Sequence, residues 1–348
     1  MVDQTDDITP WLARLPKVEL HLHLEGSLRP ATLFQLAQRN GVELGADSPA
    51  ALTALYQFND FNDFVRLFLA GLATLRTAED FTDATVALAA ELAEQNVRYA
   101  EVTTTPGNHH RRGIDMAEYR DGLNEGRRRA RAEHGVDLAW VCDISRESED
   151  PGSEWTVDYL LGPTAPDGVV GLGLGGVEDG YPPELFTSSF ARARAAGLAS
   201  LPHAGETVGA ASVWGALRAL RANRIGHGIR SLDDPALLDH LVAHDIPLEV
   251  APTSNACLKL VPSVAEHPLA HLADAGVPVT LNTDDPAYFQ TTLTTELLVA
   301  HRLHGFTTER LLAAQHTALA ACYADPATKA RIREELTDFA ASTSADQP

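Results

Sequence analysis

The chain has 348 residues, 45% hydrophobic and 22% charged, enough to bury a large core as one barrel or two ordinary domains. Its 27 basic and 48 acidic residues give a formal charge of −21, a field that repels nucleic-acid polymers and anionic membranes. The densest basic run, RRRARAEHG at 127–135, has helical spacing and reads as a solvated helix face. Cys142, Cys257 and Cys322 stand far apart with no CxxC, so free thiols in a reducing compartment are expected. The acidic opening MVDQTDDITPW lacks the apolar core of a signal peptide. No apolar stretch reaches the roughly 18 residues a membrane span needs. The cytoplasm is the expected location, and oligomeric state is not legible.

In chain order, the first β-rich run is KVELHLH at 17–23. Alternate strand residues share a side, so His21 and His23 face one way and Leu20, Leu22 and Leu24 the other. Two amphipathic helical patterns follow, RPATLFQLAQRNG and FNDFVRLFLAGLATLR, then a third over 78–96. Further β-rich runs lie at 97–102, 137–144, 169–174, 198–203, 224–227, 247–251 and 278–282. Helical patterns at 182–197 and 233–245 separate some of them, and 293–304, 307–323 and 326–341 read as closing helices. Eight strands alternating with helices predict an α/β fold, a (β/α)8 TIM barrel over 1–348. An open doubly wound sheet is the alternative, weakened because no GxGxxG follows the first strand. The long gap after the first strand predicts a helical insertion over 31–96, either a lid at the mouth or a packing subdomain. The tail over 342–348 reads as frayed.

Four polar clusters fall at strand ends. They are His21/His23, HAGE at 203–206, GHG at 226–228 and NTDDP at 282–286. Each alone has a plain structural reading: polar-pocket or core histidines, or acids at a helix N-terminus. In a barrel of this kind all strand C-termini converge on one mouth, so the four clusters become neighbours. His21, His23, His203 and one of Asp284/Asp285 then form a ligand set for a divalent metal with an open position for water. Such a metal lowers the pKa of its water towards about 7. Glu206, three residues past a ligand, is placed to carry a proton, and His227 to take one from the water or to orient it. Other histidines, among them His109, His110, His240, His244 and His267, read as surface or structural.

The segments PKVELHLHLEGSLRP, HAGE, RIGHG, PTSN and LNTDDP resemble the adenosine/adenine deaminase family of the metal-dependent amidohydrolase superfamily, from about residue 15 to 325. The resemblance implies a hydrolase that replaces the 6-amino group of a purine by oxygen and releases ammonia, with water and a small purine as its partners. It implies one Zn2+ per chain on His21, His23, His203 and Asp284. Glu206 would protonate purine N1, His227 would act on the hydroxide, Asp285 would meet N7, and the Gly176 N–H would bind N3. Charge arriving at N1 during attack calls for a protonated Glu206, hence a raised pKa in a dry mouth. The other zinc deaminase signature, H-x-E with P-C-x-x-C, is absent.

The substrate's far end is read from weaker signals. Glu25 stands where nucleoside deaminases of the family carry an acid facing the ribose 5′ end, though HLEG is also common in adenine deaminases. VEDGYPPELF after Gly176 departs from both patterns and is closer to a bacterial subgroup that includes aminodeoxyfutalosine deaminases, whose nucleoside carries a large 5′ aryl group. The expectation is a 6-aminopurine nucleoside, adenosine or a 5′-modified adenosine, with free adenine second. Phe58, Phe61 and Phe64 recur at spacing three, so a helix would set them on one side, for packing or as an apolar wall. A metal-binding homologue without turnover is a further alternative, disfavoured by the presence of Glu206 and His227. Hydrolysis of a cyclic amide or ester is another; the only lysines, Lys17, Lys259 and Lys329, offer no carboxylated bridge for two metals.

Overall fold

The computed structural model describes residues 8–58, 61–147 and 154–344. Eight strands, β1 (Lys17–His23), β2 (Val97–Thr104), β3 (Asp137–Ser145), β4 (Val169–Gly175), β5 (Ala199–Ala204), β6 (Ile225–His227), β7 (Leu248–Val250) and β8 (Val279–Leu281), pair in chain order. Neighbours are parallel throughout, as strand–helix alternation requires. The run expected at 97–102 continues to Thr104, and the shorter strands lose a residue or so at their ends.

The sheet closes into a (β/α)8 barrel. The seam between β8 and β1 is the Leu22–Asp284 bridge. His23 N–H donates to the Asp284 carbonyl at 2.8 Å, and Asp284 N–H to the His21 carbonyl at 3.1 Å. Side chains extend the stitching: Leu20 N–H donates to Asn282 Oδ1 and Thr283 N–H to Glu19 Oε1, both at 3.0 Å. Leu20 and Leu22 pack into the apolar layer under the helices, while the intervening histidines point into the barrel.

Before β1 lies α1 (Thr9–Arg14). Between β1 and β2 lie α2 (Pro30–Asn40), α3 (Pro49–Ala54), α4 (Phe61–Leu72) and α5 (Ala78–Glu94), which fill the expected insertion, α2 beginning one residue before it. Pro30 opens α2 and Gly41, at φ 62°, ends it in the left-handed region. Thr77 and Asp80 form a capping box on α5. Phe58 is buried and not helical. Phe58 packs edge-on against Phe64 at 5.6 Å and Phe289 at 6.2 Å, so it does not continue a helical stripe. The Phe61 side chain lies outside the described residues. The final helix runs over Pro326–Ser344, so positions 342–344 of the expected tail are helical, and 345–348 lie outside the described residues. Among the described residues no helix is long and apolar enough to cross a membrane.

Candidate active site

The barrel mouth brings the four clusters together. His21 and His23 end β1, His203 ends β5, His227 ends β6, and Asp284 follows β8. The ring centroids of His21 and His203 are 4.5 Å apart, those of His21 and His227 4.9 Å, and those of His23 and His203 5.4 Å. Asp284 Oδ1 lies 3.4 Å from His21 Nε2 and 3.3 Å from His23 Nε2. Two of these residues hold strained backbone: His227 has φ 59° and Asp284 φ 65°. Left-handed conformations at non-glycine residues cost of order 1–3 kcal/mol and persist where surroundings over-determine them. Here they aim both side chains into the mouth.

A divalent metal fits this arrangement. One donor atom from each of His21, His203, His227 and Asp284 falls within 4.8 Å of the others. His21 Nε2 and His203 Nδ1 are buried with no hydrogen-bond partner among the described residues. Buried imidazole nitrogens left bare in this way suit a cation such as zinc. His21 Nδ1 donates to Glu249 Oε2 at 3.0 Å, which leaves Nε2 as the free lone pair. Glu249 is itself held by Arg224, whose other end bonds Glu101. Neither Glu249 nor Arg224 figured in the sequence reading. The signal for them is an acid inside β7 and an arginine immediately before β6, both buried beside short strands whose every position is buried. His227, expected beside the ligands, falls among the clustered donors, while His23 meets them through Asp284.

The remaining acids are arranged for proton work. Glu206 is buried, 3.6 Å from His227 Nε2, and its pKa is held well above the ordinary range by burial and by the Asp284 and Glu178 carboxylates. Glu178 accepts the Glu206 and Val208 N–H groups at 3.2 and 3.0 Å and so shapes the turn that carries Glu206. Burial and the adjacent Asp284 push Asp285 up to about 8. Ser254, from the PTSN segment, donates to Asp284 Oδ2 at 2.6 Å. Asp143 of β3, also missed from sequence, fills space left by Gly173 and Gly175 and comes within 3.8 Å of His203 Nδ1.

His23, Asp143, His203, Glu206, His227, Asp284 and Asp285 line a cavity of about 850 Å³, counting its open mouth. Gly176, at φ 87°, lines one side, and a side chain there would strike the Glu147 carboxylate. Phe64, Val65, Phe68 and Leu69 of α4, with Leu258, add an apolar lining to the same cavity. Glu25 is placed differently from expectation. It is 2% exposed and does not line the cavity. Its Oε1 accepts from Thr104 Oγ1 at 2.7 Å, Thr105 N–H at 3.3 Å and His109 Nε2 at 2.9 Å. All three donors fall on Oε1, while Oε2 is buried with no hydrogen-bond partner among the described residues.

Comparison with known proteins agrees with this geometry. The adenosine deaminase family model matches residues 16–339. The chain belongs to the adenosine deaminase family. An aminodeoxyfutalosine deaminase from Streptomyces avermitilis is 43% identical over 337 residues, covering 97% of this chain and 94% of that protein. The crystal structure of adenine deaminase from Arthrobacter aurescens superposes with a TM-score of 0.89 at 34% identity, covering 94% of this chain and 99% of that one. An amidohydrolase from Burkholderia ambifaria, with bound zinc, superposes with a TM-score of 0.88 at 28% identity, covering 99% and 97%. This family member is therefore a hydrolytic deaminase acting on adenine-related substrates.

Proposed function

We propose that the chain deaminates a 6-aminopurine nucleoside bearing an apolar 5′ group, aminodeoxyfutalosine being the compound for which the Streptomyces relative is named. The observation that carries this reading is the mixed lining of one cavity, buried imidazoles and carboxylates together with the apolar α4 side chains, of which Leu69 is exposed. A purine against the imidazoles and carboxylates leaves Phe64, Val65, Phe68 and Leu69 to face whatever its sugar carries.

In this reading His21, His23, His203 and Asp284 would hold one zinc, which would lower the pKa of a water towards neutrality. Glu206, protonated because burial and neighbouring carboxylates raise its pKa, gives a proton to purine N1. Asp285, also raised, meets N7, and the Gly176 N–H meets N3. Attack at C6 and departure of ammonia leave the 6-oxopurine. Glu25 fastens the turn after β1 to β2 instead of gripping ribose.

Free adenine is the second reading. It is favoured by the withdrawal of Glu25 from the cavity, which leaves no acid from that turn facing a ribose 5′ end. Initial rates on adenine, adenosine and a 5′-aryl adenosine, followed by the ultraviolet change on deamination, separate the two. The expected order of kcat/KM is 5′-aryl adenosine above adenosine above adenine. Adenine as best substrate by a wide margin would promote the second reading.

A further inference from the structure

We infer that Asn255 and His267 are positioning residues: a hydrogen-bond relay anchored on the Leu269 amide holds neutral His227 with its proton on Nε2. All three side chains are buried, at 0%, 2% and 1% exposure in the order Asn255, His267, His227, so water does not substitute for any partner.

The relay has one fixed end, and every later assignment follows from it. The Leu269 main-chain N–H lies 3.1 Å from His267 Nδ1. An amide N–H can only donate, so His267 Nδ1 is bare and its proton sits on Nε2. His267 Nε2 lies 3.1 Å from Asn255 Oδ1. A donor there requires the amide oxygen, which settles the amide's orientation. Asn255 Nδ2 then faces His227 Nδ1 at 3.3 Å and Glu206 Oε1 at 3.5 Å. Turning the amide over would set N–H against N–H at His267. His227 Nδ1 therefore accepts, and the neutral ring carries its proton on Nε2.

Two consequences follow. His227 Nε2 lies 3.9 Å from Asp284 Oδ2 and 3.6 Å from Glu206 Oε1, inside the cluster of potential ligands. With a proton on that nitrogen, His227 has no lone pair for a metal. The ambiguity of the cluster is resolved towards His21, His203 and Asp284, with His23 beside them. Second, a His227 that took a proton from water would need N–H on both nitrogens, and Nδ1–H would collide with the Asn255 N–H2. His227 thus orients water by donating to its oxygen. This chemical role rests on the proposed deamination, but the tautomer does not.

The test reads the tautomer directly. The full chain is labelled with 15N-histidine, and two-bond 1H–15N correlations are recorded without metal and after addition of Zn2+. His227 is assigned from the peaks lost in His227→Gln. The expected spectrum has Nδ1 unprotonated and Nε2 protonated in both states. Asn255→Asp keeps the shape but accepts instead of donating, so the proton is expected to move to Nδ1. His267→Gln, which still offers an N–H to Asn255 Oδ1, is expected to keep the native pattern, and His267→Leu to give a mixture. Asn255→Asp is also expected to lower kcat about 10- to 100-fold with KM nearly unchanged. A native His227 protonated on Nδ1, or an Asn255→Asp spectrum unchanged from native, overturns the relay. Failure to deaminate any purine, with the tautomers as expected, overturns the proposed function and leaves the relay standing.

Discussion

Gly226 precedes His227 on β6, and the space above its Cα is occupied by a candidate metal ligand. A Cβ placed there would lie 2.7 Å from His21 Cε1, 3.1 Å from His21 Nδ1 and 3.2 Å from the His203 Cα. Ordinary contact begins near 3.4 Å, so Gly226→Ala overlaps the ring by about 3.4 − 2.7 = 0.7 Å. The His203 backbone cannot retreat, since β5 and β6 pair at His203 and Gly226. His21 must yield, and its Nδ1 is bonded to Glu249 Oε2 at 3.0 Å. A displacement of 0.7 Å along that bond would take it to 3.0 + 0.7 = 3.7 Å, beyond hydrogen-bond reach. A hydrogen bond to a charged group is worth about 1.5–3 kcal/mol, and overpacking adds about 1–3 kcal/mol. Loss of an outer partner of a metal-binding histidine lowers affinity about 10- to 100-fold. The assay is competition with a chromophoric chelator for Zn2+, alongside denaturant unfolding of the metal-free chain. Gly276→Ala is the control: it strains a glycine at φ 84° whose added Cβ meets only Val242, at 3.8 Å. The control is expected to lose stability and keep native zinc affinity. Native zinc affinity and native stability in Gly226→Ala would refute the reasoning.

Four further outcomes are expected. His21→Ala and Asp284→Ala should lose zinc and activity together by elemental analysis and rate, and full metal content in both would remove them from the ligand set. Glu206→Gln should retain zinc while turnover falls about 10²-fold or more, the scale of general acid catalysis; an emptied site would instead make Glu206 a ligand. Phe68→Ala should compress the span of kcat/KM between adenine and a 5′-aryl adenosine by roughly 1–3 kcal/mol, the range for an apolar pocket contact. Burial raises Glu296 to about 7 against the donors Thr253 and Thr291, so its contribution to stability is present below about 4.5 and lost as pH rises to about 7. Glu296→Gln should therefore gain stability relative to the native chain between pH 5 and pH 8 in denaturant titrations, and a difference that does not change with pH would contradict this.

The barrel was legible from sequence because parallel strands buried on both faces read as short apolar runs, and turns and helices punctuate them. The chemistry was legible for a related reason. His21, His23, His203, His227 and Asp284 each stand at a strand's C-terminal end, and barrel closure carries those ends to one mouth whatever lies between. Tertiary structure alone decided which single polar side chains support them. Glu249 bonds His21 from 228 positions away, and His267 reaches the site only through Asn255, 12 positions back. No local pattern distinguishes such a residue from any other buried acid or histidine. Glu25 shows the same limit from the other side: its motif suggested an acid facing the ribose, and Thr104 and His109, 79 and 84 positions on, supply donors to its Oε1 that no local pattern announces. Strand periodicity sets where a side chain starts, whereas its final direction follows the nearest satisfied hydrogen bonds, and those depend on residues that only the closed barrel makes neighbours.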